Sequence, residues 1–235
     1  MICSGALSLY YASRVLLRAM WGKCPRASVD GWMQLWAKKI THTVRLHYTV
    51  HNSHLMDFSQ KRNYIIMSNH SSHYDIPLIV LSVPGSVRML TKQELRRIPI
   101  WGPSLTRAEF VYIDRHNREQ AIRDLDNAKE KLTSGIRLWI APEGTRSRTG
   151  KMQAFKKGGF MLAIQTGAII VPVGIRGANQ VLPAKTWQFH LNENVEVTIG
   201  EPVDASQYTI ENRNALMQVV EQRIREASGQ LHSES

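Results

Sequence analysis

The chain has 235 residues, 43% of them hydrophobic, and carries a net charge of +11 from 30 lysines and arginines against 19 acids. That length suits one large domain or a domain with an appendage, and the excess of base points to an anionic partner such as nucleic acid, anionic lipid or a phosphorylated substrate. Two cysteines, Cys3 and Cys24, exclude a disulfide framework and a zinc cluster, and no stretch reaches the roughly 18 uncharged apolar residues of a membrane-spanning helix.

Residues 4–22 read as an amphipathic helix with Arg14 and Arg18 one turn apart, broken at Cys24-Pro25. The same two arginines make the segment a poor signal peptide, and the cysteine usage fits a reducing compartment. A second helix starts at Ser28 or Asp30, with Trp32, Leu35, Trp36 and Ile40 at helical spacing. Bases beside tryptophans on such helices fit the surface of an anionic bilayer; the alternative is a helical hairpin packed on the domain. These features divide the chain into a membrane-associating segment over 1–42, an αβ domain over 43–228 and a disordered tail over 229–235.

Val44 to Val50 alternates as a half-exposed strand, and His47, His51 and His54 along it and its turn read as surface residues. An apolar run predicts a strand over 64–68, then a helix over about 76–82 stopped by Pro84-Gly85. Short strands follow at 87–90 and 110–113, separated by a helical turn at Trp101-Gly102-Pro103. A helix over 117–134 turns Ala121, Ile122, Leu125, Ala128 and Leu132 inward, with Gly135 as its stop. The remaining elements are a strand at 136–141, a helix at 158–166, strands at 168–175 and around Val195, Val197 and Ile199, and a helix over 209–227. Strands alternating with helices predict an α/β fold with a mostly parallel central sheet.

Three of the apolar strands end in polar clusters: Asn69-His70-Ser71-Ser72-His73-Tyr74-Asp75, then Asp114-Arg115, then Pro142-Glu143-Gly144-Thr145-Arg146. A parallel sheet would bring such ends to one edge. His70 and Asp75 are five apart and would face different ways on a helix. If the chain turns between them, Asp75 can hold one imidazole nitrogen and leave the other as a general base; on these grounds His73 is an equal contender. Arg115 and Arg146 are each suited to clamp a phosphate, and Gly144 allows backbone amides to approach an anion. The plain alternative is a set of capping residues, since Asn and Ser cap helices and Asp favours a first turn. The segment from Gly144 to Lys151 is no nucleotide phosphate loop, because five residues separate its glycines and Met152 stands where Ser or Thr is required. No Gly-x-Ser-x-Gly occurs, so a serine nucleophile is unsupported.

Taken in order, these segments resemble the glycerolipid acyltransferase family, and within it the bacterial 1-acyl-sn-glycerol-3-phosphate acyltransferases. The Asn-His-x4-Asp motif stands at Asn69 to Asp75, an apolar strand ending in Asp-Arg at Phe110 to Arg115, Pro-Glu-Gly-Thr-Arg-Ser at Pro142 to Ser147, and Val-Pro-Val at Val171 to Val173. Lys92-Gln93-Glu94-Leu95 and Phe155-Lys156-Lys157-Gly158 resemble the family's lysine-bearing loop and Phe-Lys-x-Gly segment. The likeness covers about 60–200. It implies that His70, oriented by Asp75, takes the proton of the free hydroxyl of a lysophosphatidic acid, which attacks the thioester of acyl-CoA or acyl carrier protein without an acyl-enzyme and gives phosphatidic acid. Position in the motif selects His70 over His73. It further implies that Arg115 and Arg146, with Lys92 nearby, hold the substrate phosphate, and that Asn69, Glu143, Gly144 and Thr145 line the polar pocket. No cofactor, metal or nucleic acid is expected. The expected setting is monotopic, on the cytoplasmic face of the inner membrane, against an anionic surface. The competing readings are a related acceptor, such as glycerol 3-phosphate or another lysolipid, and a non-catalytic protein that binds anionic lipid.

Overall fold

In the computed structural model, which describes residues 2–22, 24–114 and 117–230, the apolar runs become strands of one sheet. The strands are β1 (His47–His51), β2 (Tyr64–Ser68), β3 (Val87–Lys92), β4 (Val111–Ile113), β5 (Arg137–Ile140), β6 (Ile169–Arg176), β7 (Asn194–Ile199) and β8 (Val203–Asp204). Among the described residues they form an eight-stranded sheet in the order β1-β7-β6-β2-β5-β3-β4, with β8 beside β6. β6, β2, β5, β3 and β4 are parallel. β7 runs antiparallel to β6, β8 does likewise, and β1 follows β7 in parallel.

All five residues of β2 are buried, as the centre of a sheet covered on both faces requires. The pleat sends Ile65 and Met67 to one core and Tyr64 and Ile66 to the other. The first core takes α5 (Arg118–Thr133), α6 (Gly158–Thr166) and α8 (Arg213–Ser228) through Leu132, Phe160, Leu216 and Val220. The second takes α2 (Arg26–Thr43) and α3 (Asp75–Ser82) through Ala37, Leu78 and Ile79. α8 crosses β6 so closely that a Cβ on Gly174 would lie 2.1 Å from the Ala227 carbonyl carbon. α1 (Ile2–Met20) packs on α2 and on the short α4 (Trp101–Arg107), and α7 (Ala178–Val181) follows β6.

The N-terminal helices form a hairpin packed on the sheet domain. Val29, Ala37 and Ile40 of α2 are buried, and Arg26 closes a two-pronged ion pair with Glu109 at 2.7 and 2.8 Å. Trp36 Nε1 donates to Ser8 Oγ at 2.9 Å, and the Arg14 guanidinium lies 5.1 Å from the Trp32 ring. Those two tryptophans therefore serve the helix pair, while Trp21 stays 83% exposed beside Leu17 and Met20.

Three expected boundaries move. β1 begins at His47 because Arg45 takes a left-handed conformation (φ 51°) in the turn that closes α2, where Leu46 N donates to Thr41 O at 3.0 Å. α2 begins at Arg26, where the ring of Pro25 fixes the entry φ at −60°. α8 begins at Arg213, because Thr209 N donates to Asn212 Oδ1 (2.7 Å) in a turn ahead of it. Two residues of the expected disordered tail are held by the fold. Gly229 caps α8 with φ 72°, and the Gln230 amide accepts from Met152 N (2.8 Å) and donates to Gly150 O (3.2 Å); residues 231–235 lie outside the described residues.

Candidate active site

The parallel strands deliver their polar ends to one edge, and the turn after β2 is built there. Asp75 is the first residue of α3 and is fully buried. Its Oδ2 accepts from His70 Nδ1 (2.7 Å), Ser71 N (2.8 Å) and Ser72 N (2.9 Å). The turn that the five-residue spacing demanded is thus wrapped around the carboxylate itself. A carboxylate accepts only, so Nδ1 carries the ring proton and Nε2 is left with its lone pair. Trp139 of β5 meets the His70 ring edge to face at 5.5 Å and is itself fixed by Nε1 donating to Ser68 Oγ at 2.9 Å.

The other strand ends lock this turn. Glu143 is buried, and its two oxygens accept from His70 N (2.7 Å) and Gln153 N (2.9 Å). Burial pushes its pKa up against those two hydrogen bonds. Asn69 is also buried, with its side chain bonded at both ends to Ile175 of β6, donating to O and accepting from N at 2.8 Å each. Ser147 N donates to His70 O at 2.8 Å, and Ser72 Oγ donates to Leu182 O at 2.9 Å. Gly144 sits in a turn at φ 76°, which suits glycine.

The cations gather on one flank. Arg146 is half-buried and makes no hydrogen bond or ion pair with the described residues. Desolvation lowers its pKa, opposed by the charge of Asp75. His73 stands at the exposed rim, yet desolvation by the surrounding walls, with Arg146 and His70 adding to it, pushes its pKa down to about 4. Lys92 is exposed at the end of β3, opposite Ile113 of β4 and two strands from β2. Thr145 is exposed beside Arg146. Arg115 lies outside the described residues.

The structure thus joins His70, Asp75 and Glu143 by direct bonds and sets Arg146 beside them. It turns Asn69 into the framework and leaves Lys92 on the same edge without a contact to His70. The sequence reading missed the Ser71, Ser72, Ser147 and Gln153 amides, which carry no side-chain signal, and Trp139, which looked like one more apolar strand residue. No group of His, Cys, Asp and Glu among the described residues is arranged to hold a metal.

A family model described as acyltransferase matches residues 47–176. The chain is 30% identical over 157 residues to the chloroplastic 1-acyl-sn-glycerol-3-phosphate acyltransferase of Arabidopsis thaliana, covering 67% of this chain and 44% of that one. It is 31% identical over 160 residues to the human alpha form of the enzyme, covering 68% and 56%, and 29% identical over 157 residues to the Haemophilus influenzae enzyme, covering 66% and 64%. The chain thus spans roughly half the length of the curated relatives it matches. Among solved structures, the Thermotoga maritima 1-acyl-sn-glycerophosphate acyltransferase matches with a TM-score of 0.78 and 29% identity, covering 100% of this chain and 98% of that one.

Proposed function

Because this chain belongs to the acyltransferase family, we propose that it moves an acyl group from a thioester to the free sn-2 hydroxyl of 1-acyl-sn-glycerol 3-phosphate, giving phosphatidic acid. The observation that carries the reading is the 2.7 Å contact between His70 Nδ1 and the buried Asp75, which leaves Nε2 as the base. Nε2 takes the hydroxyl proton as the oxygen bonds to the thioester carbonyl carbon. The C–S bond then breaks, and the imidazolium returns the proton to the departing thiolate. Hydroxyl plus thioester becomes ester plus thiol, so acyl-CoA or acyl carrier protein is the only co-substrate required. Asp75 holds the ring and stabilises its charged form. Arg146 meets the acceptor phosphate, with Lys92 and Arg115 supplied from the neighbouring strand ends. Glu143 and Asn69 keep the turn in shape.

The same reading sets the protein on a membrane surface, where its lipid acceptor resides. The exposed Leu17, Met20 and Trp21 of the α1 end support this. No helix among the described residues is long and apolar enough to cross a membrane.

The test is thiol release from acyl-CoA and from acyl carrier protein across a panel of lysophosphatidic acid, glycerol 3-phosphate and other lysolipids. Turnover should depend on lysophosphatidic acid. His70→Ala should lower kcat at least about 10²-fold in a folded protein, and His73→Ala far less. Near-normal turnover by His70→Ala would sink the mechanism, and lipid binding without any turnover would sink the activity.

A further inference from the structure

We propose that the cavity beside the His70–Asp75 turn seats the 4′-phosphopantetheine arm of the donor, the segment that acyl-CoA and acyl carrier protein share. The proposal rests on the acyltransferase reading above. The cavity holds about 420 Å3, within the range of about 300–1,000 Å3 typical of small-molecule sites. It opens between the 147–149 segment and the connection from β6 to β7, and Arg148, Thr149, Asn179, Gln180, His190 and Glu193 line it.

Both of its walls are fastened to the turn that carries the base. Ser147, in one wall, donates its amide to His70 O at 2.8 Å. Leu182, next to the lining residue Pro183 in the other, accepts from Ser72 Oγ at 2.9 Å. Of the cations assigned to the acceptor phosphate, Arg146 follows β5 and Lys92 ends β3, both on one side of β2. The cavity runs from the continuation of that β5 loop at 147–149 to the connection after β6, which lies on the other side of β2. A thioester presented from it would meet the His70 turn between the two walls that hold it.

The chemistry of the lining fits the arm. The side chains of Asn179, Gln180, Arg148, His190 and Glu193 make no hydrogen bond or ion pair with the described residues, so they have no structural employment. The arm is a neutral chain with two amides, each one donor and one acceptor, ending in one phosphate. Asn179 and Gln180 complement the amides, and Arg148 the phosphate. Glu193 would oppose the clustered phosphates of a nucleotide, which favours the arm as the occupant.

The experiment compares wild type with Asn179→Leu/Gln180→Leu and, as an independent route, with Ala184→Phe, which fills the cavity from its lining. The donors are acyl-CoA, acyl carrier protein and the acyl thioester of N-acetylcysteamine, which stops short of the pantothenate and the phosphate. Both variants should raise KM about tenfold for both full-length donors. The truncated thioester, which keeps one of the two amides and lacks the phosphate, should lose less, and kcat and the KM for lysophosphatidic acid should stay unchanged. The full-length donor that wild type uses with the higher kcat/KM identifies the source of the arm. An unchanged donor KM, an equal loss with the truncated thioester, or a loss confined to acyl-CoA would overturn the proposal. If wild type turns over no acceptor, the acyltransferase reading has failed on its own, and calorimetric binding of coenzyme A then decides the cavity. Binding that Ala184→Phe abolishes supports the site; no binding, or binding indifferent to that substitution, refutes it.

Discussion

One oxygen of Asp75 accepts three hydrogen bonds, whereas its Oδ1 is buried without a partner among the described residues. Asp75→Asn can therefore keep its carbonyl on the three donors and turn its NH2 into the unpartnered side, preserving the turn while removing the charge that stabilises the imidazolium. We expect kcat to fall by about 10² or more with little change in either KM; steady-state kinetics on a variant with an unaltered melting curve checks this. His73 provides a pH control. Its pKa, pushed down to about 4, leaves the ring neutral throughout the range above that value. The acidic limb of kcat/KM should therefore persist unmoved in His73→Ala; a displaced limb would make His73 the titrating group. Arg146, half-buried and without a partner among the described residues, gives a third expectation. Arg146→Ala should raise KM for lysophosphatidic acid at least about tenfold and that for acyl-CoA far less, and the reverse ratio would reassign the arginine to the donor.

Elements were legible in the sequence where a periodic pattern is long, and illegible where a single backbone angle decides. β2, β3, β5 and β6 follow apolar runs whose burial nothing opposes, whereas α7 and β8 are too short to leave a pattern. The start of β1 is illegible too, because an alternating Val44 to Val50 carries no sign that Arg45 will turn left-handed. The site divides in the same way. His70 and Asp75 could be singled out by residue type, whereas the framework role of Asn69 depends on Ile175, a partner 106 residues away. Gly174 shows what pattern reading cannot see at the level of packing. It reads as a gap in an apolar strand, yet it is the contact where α8 lies on β6. Gly174→Ala must move Ala227 or the strand, at a cost of about 1–3 kcal/mol. That corresponds to a fall in Tm of roughly 2–12 °C for a chain of this size, read by thermal denaturation. An unchanged Tm would mean that the helix does not dock there.

At the scale of the molecule, the proposed membrane contact of the N-terminal hairpin cannot be tested by deleting it. Removing it would uncover the core around Ala37 and Ile40, so truncation tests folding before anchoring. Leu17→Ser/Met20→Ser/Trp21→Ser instead alters only the exposed end of α1 and its exit. It should reduce sedimentation with anionic vesicles while leaving the melting curve intact. Binding by wild type should also weaken with salt, since each basic residue near the surface contributes about 1 kcal/mol that is screened beyond a Debye length. Equal sedimentation of wild type and variant would place the contact elsewhere. The anchors of the His70 turn carry a consequence in time. Glu143, Ile175 and Leu182 lie 73, 106 and 110 residues after the groups they hold. During synthesis the histidine and its aspartate emerge early, but the partners that shape their turn arrive only when most of the chain has been made. Contacts so distant along the chain close slowly. A nascent or prematurely ended chain lacking Leu182 would therefore carry both reactive residues and be inert, and competence would come late, with the last of those partners.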